Sequence, residues 1–410
     1  MMNSNSHEGI QYPIRKEEYS VNKIENHGTA ISIHWASGHI SRFNRFWLRD
    51  NCSSGGDKLS AIRSFYLRQM DENTAIERAE LFEDEQLKVS WKSEDHTSVF
   101  KLEWLREHCP EKESRQIRKH RPVSWGEEIN NHIPTVDFKS LEIGNSEHLK
   151  LLTQIVDYGV SRVIGLPSST DGIEDLEKYL APYTTNDFGR IFDLISEPDV
   201  WDLSQSSEAL DPHSDDPYRY SPPGVRILFC VEASGGGGGS SSLTNGIAAC
   251  QEMRSVDHEG FKLLSEISIP YIRYREDIVP QGADVHLRSR APIINVNNDN
   301  EVEGIRFHER SMDTFDLPPE IVDDYYLALI KFSKIITSGE FSLNHLLQPG
   351  EAFVFDNQQV LHGRTAFTGK PGRRHLRLCQ MDRDLVHSHY RLLLSQHGKI
   401  GASDVLASGV

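Results

Sequence analysis

The chain has 410 residues, of which 37% are apolar and 26% are charged, and its formal net charge is −17. This length and composition predict a globular protein with two domains or one large domain with an appendage. The acidic balance, without a basic stripe carrying stacking aromatic residues, argues against nucleic-acid and anionic-membrane binding.

The cysteine spacing and the hydropathy of the chain indicate the cellular compartment of the protein. The five cysteines, at positions 52, 109, 230, 250 and 379, form no CxxC pair, which predicts free thiols in a reducing environment. The polar N-terminus has no apolar signal segment, and no run reaches the roughly 18 apolar residues that a membrane helix needs. We expect a cytoplasmic protein without a membrane partner.

The first part of the chain shows the alternating pattern of antiparallel strands. Residues 29–43 alternate around a Ser-Gly turn, and residues 87–105 form a second such segment. We therefore predict a small N-terminal β domain over residues 1–125, with the charged 110–130 stretch as the linker. No internal repeat is apparent.

From about residue 134 short strands and fewer helices alternate. Helical patterns at 145–157, 172–182 and 318–337 accompany a strand at 224–233, a hairpin at 291–310 and the later strands EAFVFDN and RHLRLCQM. Many short strands with turn signals predict a mainly β sandwich or barrel with flanking helices, over residues 126–410.

One loop and one motif further along the chain contain residues that could bind a metal ion. In LDPHSDDPYRYSPPG, His213 and Asp215 are two residues apart, so their side chains share one face of an extended segment. His362, in FDNQQVLHGR, is the candidate third ligand. Two histidines and one carboxylate suit Fe(II) with open positions. Arg374 follows twelve residues later and suits the far carboxylate of a bound 2-oxoacid diacid.

Four motifs together resemble the γ-butyrobetaine and trimethyllysine dioxygenases, a branch of the taurine-dioxygenase-like oxygenases. They are WLRDNC at 47–52, HSDDPYRYSPPG at 213–224, FDNQQVLHGR at 355–364 and RRHLRLCQMDRD at 373–384. The resemblance implies a double-stranded β-helix (jelly-roll) core, with Fe(II), 2-oxoglutarate and O2 as cofactors and His213, Asp215 and His362 as the iron ligands.

The resemblance also implies a 2-oxoglutarate site and a homodimer formed through the N-terminal module. Arg374, rather than its neighbour Arg373, would hold the C5 carboxylate, because the family's arginine directly precedes a histidine. Ser241, in the glycine-rich loop ASGGGGGSSSLTNG, would contact 2-oxoglutarate with its hydroxyl.

The chain departs from the family at a structural zinc site of the N-terminal module. Cys52 and the later His96 are present, but Ser54 and Asp57 stand where the family has its next two cysteines. One thiolate, one hydroxyl, one carboxylate and one imidazole form a poor structural zinc site. We therefore predict that no structural zinc binds.

A second departure concerns the aromatic cage with which the family binds a trimethylammonium group by cation–π attraction. Phe188 and Phe192 keep two aromatic positions, whereas Gln205 and Gln380 replace two others. His308, followed by a glutamate, stands where the family has an asparagine pair that binds the substrate carboxylate. The cage is at best half present.

These features predict a dioxygenase that hydroxylates an unactivated C–H bond of a small polar metabolite, with succinate and CO2 as co-products. Quaternary-ammonium (betaine-like) and aminophosphonate compounds are the candidate substrates. One alternative keeps the cofactors and changes the outcome to desaturation, cyclisation or demethylation. Another is a catalytically silent or cupin-like metal-binding barrel, which has no need of Arg374.

Overall fold

A computed structural model describes residues 16–52, 65–83, 85–92, 94–118, 120–186, 189–195, 209–233, 237–275, 284–368 and 374–398. They form two compact units. The N-terminal unit runs to His120 and includes the end of the last helix from Leu394, and the C-terminal unit spans Arg121–Leu393. Among the described residues, no helix combines the length and the apolar composition that a membrane span requires.

The N-terminal unit contains two three-stranded antiparallel sheets, in the orders β1-β2-β3 and β4-β5-β6. The strands are β1 Val21–Asn26, β2 Ala30–Trp35, β3 Ile40–Asn44, β4 Ile76–Phe82, β5 Gln86–Trp91 and β6 Thr97–Lys101. The helices are α1 Lys16–Tyr19, α2 Arg45–Asp50, α3 Leu102–Glu107 and α4 Lys112–Arg118. The predicted hairpins at 29–43 and 87–105 are β2–β3 and β5–β6, the second of which runs into α3.

The two sheets are two copies of one unit, so the expectation that the chain has no internal repeat is wrong. Each copy is a three-stranded meander that runs directly into a short helix, α2 or α3. The same residue types recur in the same order, as Trp35, His39, Ser41, Phe43, Trp47, Leu48, Arg49 and Cys52 in one copy and Trp91, His96, Ser98, Phe100, Trp104, Leu105, Arg106 and Cys109 in the other. The second copy has one extra residue between its tryptophan and its histidine.

Equivalent residues make equivalent contacts. The Trp35 indole donates to Ser41 Oγ at 2.7 Å, and the Trp91 indole donates to Ser98 Oγ at 3.1 Å. The helix tryptophans of the two copies stack on each other, with ring centroids 5.5 Å apart. The two copies therefore share one apolar core.

The histidine of each copy contacts the cysteine of the other. His39 Nε2 lies 3.3 Å from Cys109 Sγ, and His96 Nε2 lies 3.4 Å from Cys52 Sγ. Ser54 and Asp57 lie outside the described residues, so the absence of a structural zinc stays a prediction. All five cysteines of the sequence are described, and each is a buried free thiol, as predicted.

The C-terminal unit is built on two larger sheets. The six-stranded sheet has the order β7-β8-β19-β11-β22-β9, and the four-stranded sheet has the order β10-β20-β13-β18. Their strands are β7 Thr135–Asp137, β8 Val160–Ile164, β9 Ile191–Ile195, β10 Leu210–His213, β11 Val225–Ala233, β13 Ser241–Asn245, β18 Ser342–His345, β19 Ala352–Asp356, β20 Val360–Arg364 and β22 Arg374–Met381. Three strand pairs complete the unit: β12 Gly237–Gly238 with β21 Phe367–Thr368, β14 Ile269–Arg275 with β15 Val285–Ala291, and β16 Ile294–Val296 with β17 Val302–Ile305.

The helices of this unit are α5 Ser146–Tyr158, α6 Gly246–Val256, α7 His258–Glu266, α8 Val322–Thr337 and α9 Arg383–Gln396. The predicted helices at 145–157 and 318–337 correspond to α5 and α8, whereas the segment predicted at 172–182 is a 3-10 helix, Thr170–Tyr179. The hairpin predicted at 291–310 is β16–β17. α6, α7 and α8 share an apolar cluster that includes Phe261 and Phe332.

The two larger sheets pack through a common apolar cluster. Leu228, Leu376 and Leu378 of the six-stranded sheet belong to the same cluster as Leu243 and Leu343 of the four-stranded sheet. Two sheets that bury their inner faces against each other form a sandwich, and the helices flank it. The predicted mainly β fold with flanking helices is confirmed.

Candidate active site

A cavity of about 680 Å³ opens in the C-terminal unit. Both large sheets line it, through β9, β11 and β22 on one side and β10, β13 and β20 on the other. The candidate metal ligands, Arg374 and Ser241 all face this one cavity.

The two candidate histidine ligands are paired across neighbouring strands. β10 runs antiparallel to β20, and His213 is the register partner of His362. Their ring centroids lie 4.3 Å apart. The strands approach closely at Gly363, where an added Cβ would lie 2.4 Å from the carbonyl oxygen of Leu210. The glycine that follows His362 therefore lets the strand carrying His213 come close.

Asp215 completes a group of three ligand atoms. Its two carboxylate oxygens lie 3.7 Å from His213 Nε2 and 3.4 Å from His362 Nε2. One ligand atom from each of the three residues lies within 4.8 Å of the other two. Two imidazoles and a carboxylate converging on one point can hold a single divalent ion.

Backbone contacts fix the loop that carries Asp215. The Asn357 side chain accepts a hydrogen bond from Asp215 N at 2.8 Å and donates to Asp215 O at 3.1 Å. Ser214, one residue before, donates its backbone N–H to Phe307 O at 2.6 Å. Asn357 lies in the FDN turn between β19 and β20 and is 1% exposed. The sequence analysis did not single out Asn357, because its burial and its backbone partners show only in the structure.

The protonation states suit metal ligation. Burial lowers the pKa of His362 to about 3, although the Asp215 charge acts in the opposite direction. Burial raises the pKa of Asp215, but the charge of Arg226, with further contributions from the histidines when these are protonated at low pH, brings it below its ordinary value. His362 is therefore neutral and Asp215 is ionised near pH 7, as ligands must be.

The orientation of His213 also fits a metal. Its Nδ1 lies 2.8 Å from the backbone carbonyl oxygen of Asp211, to which it can only donate. In the neutral ring this leaves the Nε2 lone pair directed toward Asp215 and His362. An imidazole held by a second hydrogen bond on its far nitrogen is the common arrangement of metal-bound histidines. The donor set therefore fits Fe(II).

Arginine and serine side chains stand together in another part of the cavity. Arg374 Nη2 donates to Ser241 Oγ at 3.4 Å, and both residues are at most 5% exposed. Burial and the neighbouring charge of Arg364 lower the pKa of Arg374 to about 10. A buried guanidinium group and a half-buried one beside a hydroxyl form a site for a carboxylate. The sequence reasoning did not single out Arg364, which is in register with Ser241.

The three predicted substrate residues that the structure describes lie in the same cavity. Phe192, His308 and Gln380 line the cavity. The His308 ring lies 4.4 Å from that of His213, and burial and the charge of His213 lower the pKa of His308 to about 3. Phe188, Gln205 and Arg373 lie outside the described residues.

Gln380 has a partner that the sequence reasoning missed. Arg226, its register partner on β11, donates from Nη1 to Gln380 Oε1 at 3.1 Å. The Nε atom of Arg226 lies 3.0 Å from Asp215 Oδ2 in an ion pair. The arginine follows a Pro-Pro-Gly-Val run in an otherwise apolar strand, and a charge in such a strand is the signal for a polar role.

Two family models match the sequence. The model described as "Taurine catabolism dioxygenase TauD, TfdA family" matches residues 114–380, and "Gamma-butyrobetaine hydroxylase-like, N-terminal" matches residues 22–106. The predicted resemblance is thereby confirmed for both parts of the chain.

Curated relatives align over most of the chain. γ-Butyrobetaine dioxygenase from Pseudomonas sp. (strain AK-1) is 28% identical over 89% of this chain and 94% of its own length. The human γ-butyrobetaine dioxygenase is also 28% identical, over 88% and 94%. Trimethyllysine dioxygenase from Meyerozyma guilliermondii is 26% identical, over 87% and 92%. The chain therefore belongs to the taurine catabolism dioxygenase TauD, TfdA family and is an Fe(II)- and 2-oxoglutarate-dependent dioxygenase.

Proposed function

We propose that the protein hydroxylates an unactivated C–H bond of a small polar metabolite, a betaine-like or an aminophosphonate compound. The observation that carries the proposal is one cavity that holds both the His213, Asp215 and His362 group and the Arg374–Ser241 pair. A metal site and a carboxylate site in one cavity match the needs of iron and 2-oxoglutarate.

His213, Asp215 and His362 would hold the iron on one face, which leaves positions for 2-oxoglutarate and O2. Iron held by these residues would supply the chemistry that couples oxidative decarboxylation of 2-oxoglutarate to oxidation of a substrate C–H bond. Asn357 and the Asp211 carbonyl keep Asp215 and His213 in place, so little reorganisation is needed when the metal binds.

Arg374 and Ser241 would bind the C5 carboxylate of 2-oxoglutarate, and Arg364 would add a second positive charge. Leu228, Leu376 and Leu378 line the cavity with apolar surface that packs on the methylene carbons and excludes water. Exclusion of water protects the oxidising species from side reactions.

We also propose a fold for the two large sheets and boundaries for the two domains. We infer that the two large sheets form the double-stranded β-helix, because they share a core and carry the site between them. We place the N-terminal β domain at residues 1–125 and the catalytic domain at 126–410. The separation of the two compact units near His120 supports this division.

The test is an anaerobic titration of the Fe(II)-loaded protein with 2-oxoglutarate, followed by absorbance. We expect the weak metal-to-ligand charge-transfer band of chelated 2-oxoglutarate, and its loss in His362→Ala. Exposure to O2 should then convert 2-oxoglutarate into succinate. A wild-type protein that binds iron but gives no band would contradict the proposal and favour the cupin-like or silent-barrel alternatives.

A further inference from the structure

The floor of the cavity beside Asp215 consists of hydrogen-bond donors. Arg226 and Gln380 are register partners on β11 and β22, and they are 8% and 7% exposed. Gln380 Oε1 accepts two hydrogen bonds, from Arg226 Nη1 at 3.1 Å and from Asn186 Nδ2 at 3.2 Å. With its oxygen occupied in this way, the Gln380 amide can offer only its N–H groups to the cavity.

Arg226 also keeps a donor for a ligand. Its ion pair with Asp215 uses Nε, and its hydrogen bond to Gln380 uses Nη1. Within the described residues, Nη2 makes no hydrogen bond, and the side chain lines the cavity. The guanidinium and the amide therefore present N–H groups from neighbouring strands to the same space.

This floor is distinct from the candidate 2-oxoglutarate site. Arg374 and Gln380 are six residues apart on β22, which places their Cα atoms about 20 Å apart along the strand. The apolar row of Leu228, Leu378 and Phe192 lies between them. The six-stranded sheet therefore places one arginine at each end of the cavity, Arg374 at one end and Arg226 at the other.

The charge of the cavity contrasts with that of the chain. Six arginines and four carboxylates are among the described lining residues, namely Arg190, Arg226, Arg273, Arg310, Arg364 and Arg374 against Asp211, Asp215, Asp216 and Glu309. Fe(II) and 2-oxoglutarate carry opposite charges of two and cancel. The lining therefore stays net positive in the loaded enzyme, although the whole chain carries −17.

We infer that Arg226 and Gln380 bind the oxyanion of the substrate, a phosphonate, sulfonate or carboxylate, next to the metal centre. A quaternary ammonium group has no acceptor atom for these donors and is repelled by Arg226. The inference rests on the proposed function and sets the orientation of the substrate. Both substrate classes carry an oxyanion, and that group lies at this end of the cavity, with any quaternary ammonium group away from Arg226.

The test compares four ligands with a two-carbon chain, added anaerobically to the Fe(II) and 2-oxoglutarate complex. 2-Aminoethylphosphonate, taurine and β-alanine each carry an amine and one kind of oxyanion, whereas choline carries a trimethylammonium group and a hydroxyl. We expect at least one oxyanion compound to shift the charge-transfer band at a concentration at least about tenfold lower than choline does. The compound that binds best identifies the oxyanion.

The decisive variant is Gln380→Glu, which keeps the side-chain size and the acceptor for Arg226 and replaces the N–H donors by an oxygen. We expect it to weaken oxyanion binding at least about tenfold. Gln251→Glu, on the exposed face of α6, carries the same charge change outside the cavity and should match the wild type.

The outcomes separate the two proposals. If the 2-oxoglutarate band never forms, the proposed function fails. If the band forms but choline binds more tightly than every oxyanion compound, or none of them shifts it, the assignment of Arg226 and Gln380 fails. An unchanged affinity in Gln380→Glu would overturn the assignment as well.

Discussion

The N-terminal and C-terminal units differ in where their buried polar side chains point. In the N-terminal unit, Ser41 and Ser98 accept hydrogen bonds from Trp35 and Trp91 inside the apolar core. In the C-terminal unit, Arg226, Arg374, Gln380 and Ser241 are also buried but line a cavity. The first arrangement satisfies polar groups for stability, and the second keeps them ready for ligands.

The comparison teaches that burial alone does not distinguish a structural polar group from a functional one. The surroundings of the group distinguish the two. A buried polar group that bonds to a side chain of the apolar core affects folding, whereas a buried polar group that faces a cavity affects ligand binding. Mutations in the two units should therefore separate stability from ligand affinity, and the following predictions test that separation.

The largest effect is expected for Arg374→Ala. Removal of a buried partner of a charged ligand group costs about 2 kcal/mol or more, so the apparent KM for 2-oxoglutarate should rise at least about 30-fold. Steady-state kinetics with succinate detection measures it. Arg49→Ala, which breaks the Arg49–Glu94 ion pair of the N-terminal unit, should leave this KM unchanged. An unchanged KM in Arg374→Ala would favour the cupin-like alternative.

The next effect concerns the metal. Asn357→Ala removes both hydrogen bonds that hold the backbone of Asp215. Loss of such a supporting contact weakens metal binding by about 10- to 100-fold. Chelator competition gives the Fe(II) dissociation constant, and Asn344→Ala, an exposed asparagine of β18, is the matched truncation. Equal dissociation constants for the two variants would show that Asn357 does not position the site.

A smaller effect, on stability only, is expected in the N-terminal unit. Ser98→Ala leaves the buried Trp91 indole N–H without its acceptor, which costs about 1–3 kcal/mol in the free energy of unfolding. Chemical denaturation followed by tryptophan fluorescence measures this loss. Ser41→Ala at the equivalent position should cost at least as much, because Ser41 also contacts Cys109. A changed KM for 2-oxoglutarate in either variant would break the separation between the units.

The smallest effect is a pH dependence of the N-terminal unit. Burial, with a contribution from Glu103, raises the pKa of Glu107 to about 7. A carboxyl with a raised pKa in the folded state favours folding most below its unfolded pKa, and this contribution disappears as the pH rises through about 7. Between about pH 4.5 and 7 the stability of Glu107→Gln should therefore fall less than that of the wild type. Parallel denaturation curves over this range would contradict the prediction.

Local patterns made part of the site predictable from sequence. His213 and Asp215 follow from the period of an extended segment, and the motif after β19 led to His362 and Arg374. The structure places all four in one cavity. Ser241 was one of three consecutive serines after the glycine run, and only the hydrogen bond between the two sheets shows that it faces Arg374.

The features that escaped prediction depend on contacts between distant segments. Seven of the eight recurring residues of the N-terminal unit are 57 positions apart, but most residues between them differ, and the matching sheets and helices show that the two segments are copies. Arg226 and Gln380 are 154 positions apart and meet only because β11 and β22 are neighbours in the sheet. Asn357 acts through backbone hydrogen bonds, which no residue pattern in the partner segment reveals.

Gly363 shows that a metal site depends on residues that do not bind the metal. Any side chain there would collide with the backbone of β10 at Leu210 and push His213 away from His362. The dipeptide His362-Gly363 therefore specifies a distance between two strands as well as a ligand. A chain with all three ligands but a larger residue at 363 would hold its imidazoles too far apart for one ion, and its sequence would still look like that of a metal-binding protein.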